Sequence, residues 1–318
     1  MHALVLAAML CAKAVDDAVG LVMREQHVAG LSIAAYSHGR LTCMRGYGFA
    51  RIGTRTPATP ATVYRIGSLT KSFTAAAVLR LAAQSKLELT RPIGDYVSVP
   101  WQTPVTLEEL LAQTSGIPDY TEAPSLSRYA PYPPQQLIDA VASRPLLFPP
   151  GSAYAYSNTN YVLLGIAIER VSSLPFSAFL ESEVLAPAGL RSTRYGDAQN
   201  EARGYARDAL NLPVRPTSAE YGFSAAGMSS NAGDMLRWLS LVAPPYYGFS
   251  RGLIYGYDVY YARGYVNGYS SFALFDDAHR DALVILTNAD ALDLTPLAMD
   301  VFATLEPPKP GTRAPQAF

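Results

Sequence analysis

Ser68 and Lys71 stand three residues apart in Gly67-Ser68-Leu69-Thr70-Lys71. On a helix that spacing puts a hydroxyl and an amine on one face. A serine hydroxyl is a weak nucleophile until a neighbouring base takes its proton, so an amine within reach is the minimum equipment for covalent acyl transfer. The approach, Thr62 to Ile66, is rich in strand formers and stops at Gly67, so Ser68 is expected to open the following helix. There the positive end of the helix dipole favours a developing oxyanion. Lysine is scarce, with Lys13, Lys71, Lys86 and Lys309 the only ones in the chain. Even so, S-x-x-K arises by chance, and its bland reading is a surface lysine one turn into a helix.

A second group lies on a proline–glycine loop, Pro149-Pro150-Gly151 leading to Tyr156-Ser157-Asn158, which feeds a helix from Asn158 onward. A phenol beside an ammonium has its phenolate favoured, so Tyr156 is expected to take the Ser68 proton and pass it to the leaving group. The Asn158 amide suits two tasks, ordering Lys71 and binding a substrate carbonyl. With 21 tyrosines present, a Y-x-N triplet alone decides nothing.

The bulk numbers exclude several other chemistries. Hydrophobic residues make up 49% and charged residues 16% of 318 residues, a globular composition. A net charge of -1 gives no electrostatic case for nucleic acid or an anionic membrane. His2, His27, His38 and His279 are scattered without metal-ligand spacing, so no metal and no cofactor is expected. His38 reads as a turn residue, and with no G-x-S-x-G elbow a Ser-His-Asp esterase is not supported. The apolar run Ala3 to Ala12, followed by Ala12-Lys13-Ala14, resembles a secretory signal without its basic start. It is too short to span a bilayer. Cleavage after Ala14 would make the protein periplasmic or secreted and leave Cys43 alone, with no disulfide; otherwise the chain is cytoplasmic.

The elements that position these residues fall in a clear order. Val15 to His27 is amphipathic; Leu31 to Tyr36 and Leu41 to Met44 form a hairpin about Ser37-His38-Gly39-Arg40. Helices follow at Ser68 to Ala83, Thr106 to Ala112 with a capping-box spelling, Gln135 to Ser143, Asn158 to Ser172, Phe176 to Leu185 and Asp234 to Val242. Strands return at Val259 to Val266, Ser270 to Asp276 and Ala282 to Thr287, before a closing helix from Leu292 to Leu305. This predicts an α+β fold: an antiparallel sheet of about five strands flanked by terminal helices, with an inserted all-helical domain. Residues 15–66 plus 235–306 would form the sheet domain and 67–234 the insertion. Residues 1–14 are the signal-like segment and 307–318 a loose proline-rich tail.

The stretch from Val15 to Thr287 resembles the β-lactamase-like serine hydrolase superfamily, nearest to class C β-lactamases, D-alanyl-D-alanine carboxypeptidases and related carboxylesterases. Arg65 to Thr74, Leu110 to Ile117, Pro150-Gly151 with Tyr156 to Tyr161, Ala226 to Asp234 and Leu286-Thr287-Asn288 carry the likeness. The resemblance implies Ser68 as nucleophile, Lys71 as its activator, Tyr156 as general base and acid, and Asn158 as a substrate-binding amide. It also implies the β-lactamase/transpeptidase-like fold, with the site in the cleft between sheet and helices.

The third motif of that superfamily, a K-T-G or H-x-G triad, is altered. Tyr261-Ala262-Arg263-Gly264-Tyr265 puts Ala262 where the cation or imidazole belongs. Gly264 is retained, which keeps an oxyanion hole formed by the backbone N–H groups of Ser68 and Tyr265. Arg263 is a candidate carboxylate partner, although strand alternation points it away from Ala262's face; its bland reading is the solvent face of an edge strand. Gln113 stands where relatives usually carry histidine. The tyrosines between Tyr246 and Tyr269 read first as cross-strand packing and second as an aromatic wall for an acyl group. These features favour a carboxylesterase-like hydrolase on small esters. The alternatives are a D-alanyl-D-alanine carboxypeptidase or β-lactamase taking a peptide or β-lactam, and then a non-catalytic peptidoglycan-binding relative.

Overall fold

A computed structural model describes residues 11–198 and 201–312. Strands β1 (Gly30–Ser37) and β2 (Arg40–Arg51) form the expected hairpin. With β3 (Thr56–Pro57), β7 (Ser250–Ile254), β8 (Tyr257–Val266), β9 (Tyr269–Asp276) and β10 (Asp281–Thr287) they build one sheet in the order β3-β2-β1-β10-β9-β8-β7. Three shorter strands, β4 (Tyr64–Arg65), β5 (Arg194–Tyr195) and β6 (Met228–Ser230), make a second sheet ordered β4-β6-β5.

The main sheet therefore has seven strands, not about five. Sequence reading missed β7 because Ser-Arg-Gly-Leu-Ile has little alternation and lies mostly exposed at an edge. It missed β3 because two residues carry no periodicity.

Alternation along the central strands sorts side chains onto two covered faces. Leu31, Ile33, Ala35, Phe272, Leu274, Leu283 and Ile285 pack against α1 (Lys13–Glu25) and α10 (Thr295–Leu305). Ala34, Ala273, Phe275, Val284 and Leu286 face the helical layer. That layer holds α2 (Thr70–Ala83), α3 (Leu107–Leu111), α4 (Pro134–Asp139), α5 (Asn158–Ser172), α6 (Phe176–Leu180), α7 (Ala186–Ala188), α8 (Ala219–Ala226) and α9 (Ala232–Leu239). The capping box at α3 forms as its spelling predicts, with Thr106 and Glu109 exchanging bonds. α2 is buried nearly all round, and its small residues let neighbours close in. Phe73 stacks on Trp238 at 4.4 Å, and the Trp238 indole donates to Ser72 Oγ at 2.9 Å.

Cys11 and Cys43 are joined in a disulfide, so neither thiol is free. The expectation of a lone Cys43 applied to a chain cut after Ala14; in the uncut chain the two cysteines pair. α1 packs under the sheet and carries the chain before it to β2, where both cysteines are buried. Cleavage after Ala14 would sever Cys11 from the chain that holds Cys43. Most of the signal-like run, residues 1–10, lies outside the described residues, as does the end of the tail.

Candidate active site

The nucleophile sits on a turn built for close approach. β4 ends at Arg65, and Gly67 takes a left-handed backbone (φ +52) before a 3-10 turn, Gly67–Leu69, leads into α2. Ser68 thus lies just ahead of α2, inside the 3-10 turn, rather than opening the α-helix. A β-carbon on Gly67 would lie 2.5 Å from the Tyr265 backbone nitrogen. One on Gly264 would lie 2.0 Å from the Ile66 carbonyl oxygen. Both glycines are required for strand β8 to press its backbone against the Ser68 turn. β7 pairs with β8 only from Tyr257 to Tyr261, which leaves Ala262 to Val266 without a neighbour on that edge. The Tyr265 N–H is consequently placed beside the Ser68 turn, where sequence reading put the second oxyanion donor.

Four predicted side chains come together. Ser68 Oγ is 2.7 Å from Tyr156 Oη, and Lys71 Nζ is 3.2 Å from Ser68 Oγ. Lys71 Nζ also reaches Asn158 Oδ1 at 2.7 Å and the Ala225 carbonyl at 3.0 Å. The ammonium side of Lys71 lies 4.7 Å over the Tyr156 ring and 5.5 Å over Tyr161. Lys71 is 2% exposed.

Burial sets the protonation states. It pulls Lys71 down to about 7, only partly countered by the Asp119 carboxylate. It also drives the Tyr156 phenol well above its ordinary value, with Ser68's hydrogen bond pulling the other way. That direction runs opposite to the phenolate expected of Tyr156. Desolvation penalises whichever form is charged, and at Tyr156 it is the largest cause of the rise. Near neutrality a good part of Lys71 is a free amine, while Tyr156 stays a phenol. As an amine, Lys71 can donate to Asn158 and Ala225 and accept the Ser68 proton.

Two residues that sequence reading did not assign to the site hold it in shape. Asp119 accepts from Asn158 Nδ2 at 2.8 Å, which fixes the amide so that its oxygen meets Lys71. Gln113, in a left-handed conformation, accepts from the Ser157 N–H at 3.0 Å and from Asn160 Nδ2 at 2.6 Å through its side-chain oxygen. Its backbone carbonyl takes the Ala155 N–H at 3.0 Å. Gln113 is therefore a brace under the Tyr156 segment. Asp119, directly after Ile117-Pro118, offered no local signal in sequence, because its bond to Asn158 spans 39 residues.

Ser68 opens onto two recesses. One, of about 600 Å³, is walled by Tyr154, Tyr246, Tyr247, Phe249 and Tyr261, with Arg251 and Arg263 at its rim. The other, of about 320 Å³, runs past Asn158 to Tyr221, Tyr265 and Arg128. Ala262 lies on the cleft-facing side of β8, as Gly264 does. The Arg263 guanidinium is carried 5.6 Å over the Tyr261 ring, and its charge acts on Asp293 ahead of α10. β8 is flanked by β7 only up to Tyr261, so Arg263 lies on a stretch paired on one side alone, with β9. The tyrosines pack against each other and the sheet, Tyr246 on Tyr260 at 4.3 Å and Tyr261 on Phe272 at 6.2 Å, and Tyr246 and Tyr261 also line the recess.

A family model described as Beta-lactamase matches residues 15–304. The chain belongs to the Beta-lactamase family. The site just described has the makeup of a serine hydrolase of that superfamily. Protein flp of Staphylococcus aureus (strain MRSA252) is similar at 28% identity over 246 residues, covering 73% of this chain and 48% of that protein. The chain spans about half the length of this curated relative. A Beta-lactamase of Providencia stuartii is 27% identical over 238 residues, covering 71% of this chain and 59% of that one. Among solved structures, the octameric penicillin-binding protein homologue from Pyrococcus abyssi has TM-score 0.82 at 26% identity, covering 92% of this chain and 77% of that one.

Proposed function

We propose that the protein is a serine hydrolase that cleaves small, uncharged acyl esters through an acyl-enzyme on Ser68. The observation that carries the reading is Ser68 Oγ held between Tyr156 Oη at 2.7 Å and a buried Lys71 amine at 3.2 Å. Lys71 takes the Ser68 proton as the hydroxyl attacks the ester carbonyl. The developing oxyanion is met by the Ser68 and Tyr265 N–H groups. Tyr156, kept protonated, gives its proton to the leaving alkoxide and is refilled from Lys71. Water then repeats the sequence against the acyl-enzyme.

The preference for neutral esters rests on Ala262, which puts a methyl group, not a cation, beside the nucleophile on the cleft face of β8. Paired hydrolysis of p-nitrophenyl acetate and nitrocefin by wild type and Ser68→Ala tests this. Ester cleavage that survives Ser68→Ala would remove the nucleophile assignment; fast nitrocefin turnover would replace the esterase preference with a β-lactamase one.

The second reading is a D-alanyl-D-alanine carboxypeptidase or β-lactamase. It is favoured by Arg128 in the recess beyond Asn158, where a carboxylate on the substrate would meet a cation. Arg128→Ala and Arg263→Ala should weaken carboxylate-bearing substrates more than neutral esters if either arginine reads that group; equal effects rule both out. Disulfides persist in oxidising compartments, so the Cys11–Cys43 bond favours such a location only for a chain that is not cut after Ala14.

A further inference from the structure

At the end of the sheet away from Ser68 lies a group of side chains that the hydrolase mechanism does not use. Asp281 begins β10, His38 sits in the turn between β1 and β2, and Glu306 follows α10. Asp281 is five residues along β10 from Leu286, which pairs through Ser271 to Gly264. At strand rise that is roughly 16 Å away.

The two carboxylates are hidden, at 1% exposed for Asp281 and 6% for Glu306. Asp281 Oδ1 accepts from the His38 backbone N–H at 2.7 Å, but its Oδ2 is buried and accepts no hydrogen bond. Glu306 Oε1 is likewise buried without a hydrogen bond, with the His38 Nε2 ring nitrogen 3.2 Å away as its charged neighbour. One ligand atom from each of His38, Asp281 and Glu306 lies within 4.8 Å of the other two. Two buried carboxylate oxygens without donors are stable beside each other only with a proton or a cation between them.

We propose that His38, Asp281 and Glu306 form a binding site for one divalent transition-metal ion of the zinc type. An imidazole nitrogen and two carboxylate oxygens, with water completing the shell, are ligands that Zn²⁺ accepts at about 2.0–2.2 Å. Three such atoms around one ion stand within the mutual separation seen here. Ca²⁺ and Mg²⁺ demand six or more oxygens, and the imidazole counts against them. The His38 side chain is 64% exposed and gives the ion its way in from solvent. A bound ion would tie the β1–β2 turn, the start of β10 and the segment leaving α10 to one point. Histidine spacing could not reveal such a site, because the three ligands come from residues 38, 281 and 306 and share no local motif.

The test titrates ZnCl₂ into chelator-treated, dialysed full-length protein by calorimetry and follows thermal melting. Wild type should take one ion per chain and melt higher with zinc. His38→Ala and Asp281→Asn should each weaken binding by about 100-fold or more and remove the melting shift. His279→Ala should bind as wild type does, which separates the site from the nearby His279–Asp276 pair, 2.7 Å apart. Because His38 points to solvent, its variant keeps the experiment readable if Asp281→Asn does not fold. p-Nitrophenyl acetate hydrolysis should be unchanged in His38→Ala. No zinc uptake by wild type, equal uptake by His38→Ala, or tighter binding of Ca²⁺ or Mg²⁺ than of Zn²⁺ would each overturn the proposal. A Glu306→Gln protein that melts higher than a wild type taking no zinc would show that a shared proton fills the gap.

Discussion

Lys71 and Asp281 are both hidden charges, at opposite ends of the same group of strands, and they are partnered in opposite ways. Lys71 meets three acceptors, Ser68, Asn158 and the Ala225 carbonyl, all from the protein itself. Asp281 has one donor for one oxygen, while its other oxygen is buried without a hydrogen bond. Burial acts on both by disfavouring the charged form, lowering the lysine and raising the acid. The lesson is that desolvation produces a poised base where partners are complete, and leaves a carboxylate needing a proton or a cation where they are not.

The largest expected effect tests the Ser68 end. Ser68→Ala should lower p-nitrophenyl acetate turnover by about 10⁴-fold or more, and mass spectrometry of the trapped enzyme should lose its acyl adduct. Retained adduct would break the comparison at its first term, since Lys71 would then be poised for some other nucleophile.

Next comes pH. If the free amine of Lys71 is the base, kcat/KM should rise with pH through about 7, because the lysine must lose its proton to accept the one from Ser68. A rate flat from pH 6 to 8 would contradict that role. Asp119→Asn sharpens the point. Asp119 raises Lys71, so removing its charge should move the rising limb to lower pH. The same change disturbs the Asn158 amide and should cost about tenfold in kcat. An unmoved limb would make Asp119 a purely local support.

The smallest effect belongs to the far end. Asp281's folded value, about 6, lies above its ordinary 3.8, so its contribution to stability is present at low pH and lost as pH rises through about 6. Metal-free wild type should therefore lose melting temperature between pH 4 and 7, and Asp281→Asn should flatten that part of the curve. An identical slope in both proteins would assign the dependence to other groups.

How legible all this was in sequence depends on distance along the chain. Ser68 and Lys71 announce themselves because a helix makes three-residue spacing a contact. The central strands were readable from their apolar runs, and α3 from its cap spelling. β7 was not, because an exposed edge strand needs no apolar face. The roles of Gln113 and Asp119 were hidden, since each acts on residues about forty positions away. The proton order at Lys71 and Tyr156 could not be read either, because desolvation belongs to the packed site and not to residue types. The disulfide was missed for a different reason: cleavage after Ala14 was allowed to remove one cysteine before its geometry was considered.

That disulfide makes α1 and β1 part of a covalent ring closed across a separation of 32 residues. A protease that nicks the exposed turn before β1 would leave the two pieces tethered, so intact and nicked protein would travel together until reductant is added. The same ring limits how far α1 can swing from the sheet when the protein opens, which makes the underside of the sheet the region whose exposure depends most on redox conditions.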